Sequence, residues 1–286
     1  MKTRLITSGI GLIVLALVLF TFDTMIFNII IACIALAATH EIYMALGFKK
    51  KDLAMYFVQV PYVLLIMNSD NAYFRSIVLI ATFVLMLFYC MYLVFAGGRV
   101  SFLHTGGFVF FSEIIIFCFY SFIYLKRMFP VAQYEYDAIF FLMIGLCFAW
   151  GGDSSAYFAG RFFGKRKLAP KVSPHKTLEG AVGNVLGSMV YGVAATLIYQ
   201  HCAGRAQSFQ TTNFGVPMVL IVAVLGVFCA ILGIFGDLFA SVVKRQCDIK
   251  DYGTVFPGHG GILDRFDSVM LIAPFVTLVI SVMYGA

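Results

Sequence analysis

From Leu5 almost to the C-terminus, apolar runs of membrane-spanning length succeed one another with only short polar breaks. A helix needs about 20 apolar residues to cross a bilayer core, so a chain of 286 residues has room for nine or ten crossings with short loops. Nine segments are read, at about 5–22, 24–46, 53–68, 72–96, 107–126, 138–159, 178–200, 217–243 and 266–285. The third is short for a full crossing and carries Pro61, which predicts a kinked or incomplete span. Composition decides between membrane segments and the core of a large soluble protein. Hydrophobic residues make up 62 % of the chain and charged ones 12 %, with a mean hydropathy of +0.95. Soluble domains carry about 25 % charged residues. The expected fold is therefore an all-α integral membrane protein, a polytopic bundle of about nine transmembrane helices. No separate soluble domain fits beside them, so any chemistry lies in the spans and their loops.

The net charge of +6 is read as orientation and as affinity for anionic lipids or nucleotides, not for nucleic acid. With a cytoplasmic N-terminus, 16 of the 20 Lys and Arg residues fall on the cytoplasmic side and only Arg75, Lys126, Arg127 and Arg205 outside. That bias predicts N-in, C-out, with the polar loops 160–177 and 244–265 sharing the cytoplasmic face. The start, Met1 to Arg4 and then an apolar run to Phe22, exceeds a signal-peptide h-region and is read as an uncleaved first span. The seven cysteines lie mostly in apolar segments without paired spacing and are read as small fillers. Two regions are expected: a five-helix scaffold over 1–137, and a catalytic region of four helices and the two loops over 138–286. Small residues concentrate in the second region. Gly180, Gly183 and Gly187 share a helix face with Ser188 beside it, and Gly226, Gly233 and Gly236 repeat the device, as close-packed membrane helices require.

The chemistry concentrates in the polar stretch Ser241–Asp267, read with Asp237 one turn upstream. Asp237, Ser241 and Lys244 are spaced i, i+4, i+7 and share one helix face. Asp264 and Asp267, spaced i, i+3, would share a face at the start of the last apolar segment. Carboxylates among Lys244, Arg245, Lys250 and Arg265 suit a divalent cation carrying a phosphate. The run Pro257-Gly258-His259-Gly260-Gly261 is a turn whose amides, with Asp264 just beyond them, become plausible phosphate donors. His259 would orient a carboxylate or touch a nucleotide.

A second cluster runs from Asp153 to Gly180. Asp153 comes after Gly151-Gly152 inside a span, where an ionisable group is costly and functional by default. The two glycines predict a weakened helix, which Asp153 and Ser154 would cap as it restarts. Arg161, Lys165, Arg166, Lys167 and Lys171 serve both as a membrane anchor and as a basic rim for a polyanion, Lys165, Lys167 and Lys176 being the direct contacts. Thr177 is the expected N-cap of the seventh span, with Glu179 in its first turn. His40, Glu41 and Glu113 are intramembrane polar residues assigned to helix–helix hydrogen bonding. His104, His201 and the loop 201–216 carry no assigned chemistry.

Both clusters resemble the signature of the phosphatidate cytidylyltransferases, or CDP-diglyceride synthases. In the first, Ser241, Lys244-Arg245, Lys250-Asp251, Pro257-x-His259-Gly260-Gly261 and Asp264-Arg265-x-Asp267 match without departure. In the second, Asp153-x-x-Ala156-Tyr157, Gly164-Lys165, Ser173-Pro174-x-Lys176-Thr177 and Glu179-Gly180 match, with Leu178 where an aromatic residue is common. The resemblance covers the C-terminal half. It implies transfer of the cytidylyl group of CTP to phosphatidate, giving CDP-diacylglycerol and pyrophosphate; the compact chain suggests a bacterial cytoplasmic membrane.

The residues themselves supply the roles. Asp237 and Asp264, helped by Asp153 and Asp267, would hold one or two magnesium ions, and Lys176, Lys244 and Arg265 would act on the phosphates. Lys165, Lys167, Ser173, Thr177, Glu179, Ser241, Arg245, Lys250, Asp251, His259, Gly260 and Gly261 complete a substrate site. A homodimer is among the expected partners, with membrane lipids and CTP. The competing assignments are a related transferase for another lipid phosphate, and a secondary transporter with intramembrane acids.

Overall fold

A computed structural model describes residues 2–130, 136–202, 217–255 and 260–284, with side chains from residue 9 onward. The helices are α1 (Lys2–Phe20), α2 (Met25–Ala45), α3 (Ala54–Phe57), α4 (Gln59–Met67), α5 (Ala72–Ala96), α6 (Phe102–Met128) and α7 (Asp137–Phe163). They continue with α8 (Leu178–Cys202), α9 (Met218–Gln246), α10 (Leu263–Phe266) and α11 (Val269–Tyr284). Six of these, α2 and α5 to α9, are long and apolar enough to cross a membrane. The protein is an all-α multi-pass membrane protein. One feature is not helical: strands β1 (Lys167–Ala169) and β2 (Ser173–Thr177) pair antiparallel where sequence reading expects an open loop.

The chain divides into two compact units, Met1–Arg127 with Gln246–Phe266, and Met128–Arg245 with Asp267–Ala286. In the first unit the suspect third segment is indeed broken, into α3 and α4. Polar bonds pin its two ends to different levels of the unit. Tyr92 donates to Asp52 (2.9 Å) and Tyr89 to the Met55 carbonyl (2.9 Å) near the C-terminal end of α5. At the other end Lys126 pairs with Asp70 (3.2 Å) and donates to the Thr24 carbonyl and Asn28 Oδ1 (both 2.9 Å). Lys126, counted from sequence among the basic residues outside, is buried and held by these three partners.

In the second unit α7 and α8 pack antiparallel over their whole length. Tyr199 donates to Asp137 (2.6 Å) at one end, Ser188 to the Phe148 carbonyl (3.0 Å) in the middle, and Thr177 lies beside Gly160 and Gly164 at the other. The glycine face works as expected. A Cβ on Gly183 would strike Ala159, one on Gly187 would strike Ser155, and one on Gly152 would strike Asn184 and Ser188. Lipid tails are as apolar as leucine, so such helices are held by close contact and not by expelling water. Around Gly151 the helix does not break. It passes through a π-helical turn, Cys147–Gly151, and resumes directly at Gly152. The expected cap by Asp153 and Ser154 is absent, because no backbone donor is left exposed to be capped. Ser154 instead donates to the Trp150 carbonyl (2.8 Å).

Candidate functional site

The π-turn adds one residue to the helix and re-aims the side chains beyond it, a distortion often found at functional positions. Asp153 comes next. Its carboxylate accepts from Asn184 Nδ2 (3.3 Å) on α8 and from Ser268 Oγ (3.1 Å) just before α11. Asn184 and Ser268 are buried. Neither was singled out from sequence, although Asn184 sits one turn before Ser188 on the glycine-rich face, a polar residue inside an apolar span. Asp237 on α9 accepts from Ser241 Oγ (3.4 Å) and forms an ion pair with Lys176, the lysine of β2. Lys244, two turns beyond Asp237, lies 4.0 Å from Asp267. The i, i+4, i+7 face of α9 is thus used as its spacing predicts.

Three carboxylates, Asp153, Asp237 and Asp267, lie near enough for their charges to repel one another. The side chains of Lys176 and Lys244 oppose them, and all four side chains of the two ion pairs are only 12–26 % exposed. In so dry a setting like charges repel strongly, and the cluster persists because cations answer it. Among the described residues no three of His, Cys, Asp and Glu converge closely enough to enclose a metal ion by themselves. Magnesium is ordinarily held by one or two carboxylates with water and substrate phosphates supplying the rest. The all-oxygen donors and surplus negative charge of this trio fit such an ion.

The basic rim is built on the β-hairpin. Glu179, in the first turn of α8, accepts from the backbone amides of Lys165 (3.0 Å) and Arg166 (3.3 Å), which pins the turn after α7. Thr177 caps α8 as predicted, its Oγ1 accepting from the Gly180 amide (3.1 Å). Lys167 faces Thr177 across the strands, and Ser173 opens β2. Arg245 Nε donates to the Val172 carbonyl (3.5 Å). The side chains of Lys165 and Lys167 point into solvent.

Lys250, Asp251, Gly260, Gly261, Asp264 and Arg265 belong to the first unit. Asp264 and Asp267 are not carried on one helix: α10 ends at Phe266, and Asp267 lies in the turn just after it, its Oδ1 accepting from the Ser268 amide (2.9 Å). Asp264 is buried, and its Oδ2 accepts from the amides of Tyr252 (2.8 Å) and Gly261 (3.0 Å). The amide at Gly261, expected to meet a phosphate, is therefore already engaged by a carboxylate. Gly260 sits at φ 85°, a left-handed turn that favours glycine. Lys250, Asp251 and Arg265 are exposed, and His259 lies outside the described residues. Burial and then the Asp248 carboxylate push the Cys247 thiol up, away from thiolate reactivity, as befits a filler.

Long apolar helices that carry opposed acidic and basic side chains define a polytopic membrane protein. The chain belongs to the cytidylyltransferase family, which it matches over residues 2–283. It is 36 % identical over 171 residues to the phosphatidate cytidylyltransferase of Bacillus subtilis (strain 168), covering 59 % of this chain and 56 % of that one. The enzyme of the same name from Haemophilus influenzae is 39 % identical over 140 residues, 49 % of this chain and 45 % of that one. The Staphylococcus haemolyticus protein, again a phosphatidate cytidylyltransferase, is 28 % identical over 283 residues, 98 % of this chain and 99 % of its own. The aligned stretch thus spans about half of the first two relatives and nearly all of the third.

Proposed function

We propose that this protein is a phosphatidate cytidylyltransferase. An oxygen of the lipid phosphate attacks the α-phosphorus of CTP, the bond from that phosphorus to the bridging oxygen of the β-phosphate breaks, and pyrophosphate leaves with the bond's electron pair. Both reactants are polyanions, so their mutual repulsion dominates the barrier, and positioning with charge neutralisation does most of the work in such transfers. The observation that carries the assignment is the trio Asp153, Asp237 and Asp267 opposed by Lys176 and Lys244, in a chain of this family. Lys176 and Lys244 exchange their carboxylate partners for phosphate oxygens as substrate enters, which holds the nucleotide and the departing pyrophosphate. Ser241 keeps Asp237 oriented. One or two of the carboxylates Asp153, Asp237, Asp267 and Asp264 would hold each magnesium ion, water and substrate phosphates supplying its other ligands, and the bound ion would neutralise charge on the phosphate oxygens. Arg245 and the exposed lysines 165 and 167 line the polar rim of the second unit, and Lys250, Asp251, His259 and Arg265 are likewise assigned to substrate binding. No general base is needed, because the attacking phosphate is already ionised.

All nine apolar segments cross the bilayer in this proposal, with α3 and α4 together forming the third crossing. The distribution of Lys and Arg supports a cytoplasmic N-terminus and a cytoplasmic position for loops 160–177 and 244–265. CTP then enters from water while the acyl chains stay in the lipid of a bacterial cytoplasmic membrane. The test is detergent-solubilised protein with labelled CTP, magnesium and a panel of lipid phosphates. Formation of CDP-diacylglycerol from phosphatidate, lost on magnesium removal, is the expected result. Preference for a different lipid phosphate would change the substrate, and no CTP consumption with any of them would refute the assignment.

A further inference from the structure

Glu41 is a carboxylate in an apolar helix, one turn before the C-terminal end of α2, and only 6 % exposed. An ionisable group there is costly unless its bonds are made, and functional by default. Its partners are neither lipid nor another span. Glu41 Oε1 accepts from the amide of Ile262 (2.9 Å) and Oε2 from the amide of Leu263 (2.8 Å), more than 220 residues further along the chain. Two successive amides aimed at one point make an anion site. Here the protein supplies the anion itself.

The sequence around those amides is shaped to admit the carboxylate. A Cβ added to Gly261 would collide with the Glu41 carboxylate, and all three of its nearest atoms belong to that side chain. A Cβ on Gly253 would also meet Glu41. Asp264, next to the gripped pair, takes the amides of Tyr252 and Gly261. The four amides of Tyr252, Gly261, Ile262 and Leu263 are therefore held by two carboxylates, one local and one from α2. Tyr252 lies buried against Phe111, and Phe266 against Phe119, so α6 forms the apolar side of the same seat.

We infer that Glu41 is a positioning residue for residues 260–264, holding Asp264 and the glycines 260 and 261 in the geometry that turnover requires. The inference rests on the activity proposed above, and its test separates the two. Purified full-length protein and its Glu41→Gln variant are compared by hydrogen–deuterium exchange and by CTP turnover on phosphatidate. Glutamine keeps the size but turns one acceptor into a donor that faces an N–H. Exchange should rise at the amides of Ile262 and Leu263 and stay unchanged in α5 and α6. A displacement of about 1 Å costs roughly a hundredfold in rate, so kcat should fall by about tenfold to a hundredfold with little change in KM for CTP.

A double-mutant cycle supplies the second arm. Gly261→Ala alone should be damaging, and far less so in a Glu41→Ala background, because the colliding carboxylate is gone. Additive losses in that cycle, or wild-type turnover and exchange in Glu41→Gln, would overturn the inference. So would exchange rising throughout the first unit, which marks a merely structural role. Should Glu41→Ala not fold, Glu41→Gln carries the exchange and kinetic arms by itself. A local exchange effect in a protein that consumes no CTP would sink the activity and leave the anchor standing.

Discussion

Each unit buries carboxylates in apolar surroundings, and each satisfies them differently. In the first unit Glu41 and Asp264 are bonded by backbone amides, which cannot leave without unfolding the loop. In the second, Asp237 and Asp267 face the ammonium groups of Lys176 and Lys244 on flexible stems. Amide-bonded carboxylates fix a shape, whereas ammonium-opposed ones keep charge available for exchange with an incoming cation or phosphate. Asp153 stands between these cases, tied by Asn184 and Ser268 side chains.

The largest effect should come from removing charge where it is exchangeable. Asp237→Asn is expected to lower CTP- and magnesium-dependent turnover by on the order of 10²–10³-fold. The protein should extract and melt like wild type, because no backbone bond depends on that side chain. A fall in Tm equal to that of a core variant would break the distinction between the units. Asp264→Asn should also abolish turnover, yet here with lost stability of about 1–3 kcal/mol, since the two buried amides that share Oδ2 lose their charged acceptor. Chemical denaturation in detergent measures it.

Next comes Lys176→Met, expected to raise KM for CTP by about tenfold more than it lowers kcat, as loss of a ground-state contact does. An effect confined to kcat would move Lys176 to the reacting centre. Gly183→Ala tests the packing beneath the site: the methyl meets Ala159 and should cost about 1–3 kcal/mol as overpacking, read as a lower Tm. Smallest of all is Lys49→Ala. Its backbone, and not its ammonium, accepts from Tyr43 (2.8 Å), so turnover should stay within about twofold.

Much of the second unit was legible in the sequence, because its geometry derives from helical spacing. The face of Asp237, Ser241 and Lys244, the glycine seam of α8 and the Thr177 cap are all local patterns. The continuous helix at Gly151-Gly152 was not, since a π-turn satisfies the backbone that two glycines were expected to expose. The short hairpin escaped notice because Glu179 and strand pairing order a segment of basic, loop-like composition. Glu41 was underrated for a different reason. Its partners are backbone amides, which every residue carries, so no side chain in the sequence announces them.

The sequence by itself determined that this chain lives in a membrane, where its charges fall, and which family it belongs to. Hydropathy and motif order are properties of residue type. Only the tertiary structure decided which carboxylates are gripped by backbone and which are held by lysines. Burial fixes that difference, since a buried carboxylate must be answered by whatever donor the fold brings within 3 Å, and chain order does not say which donor that is.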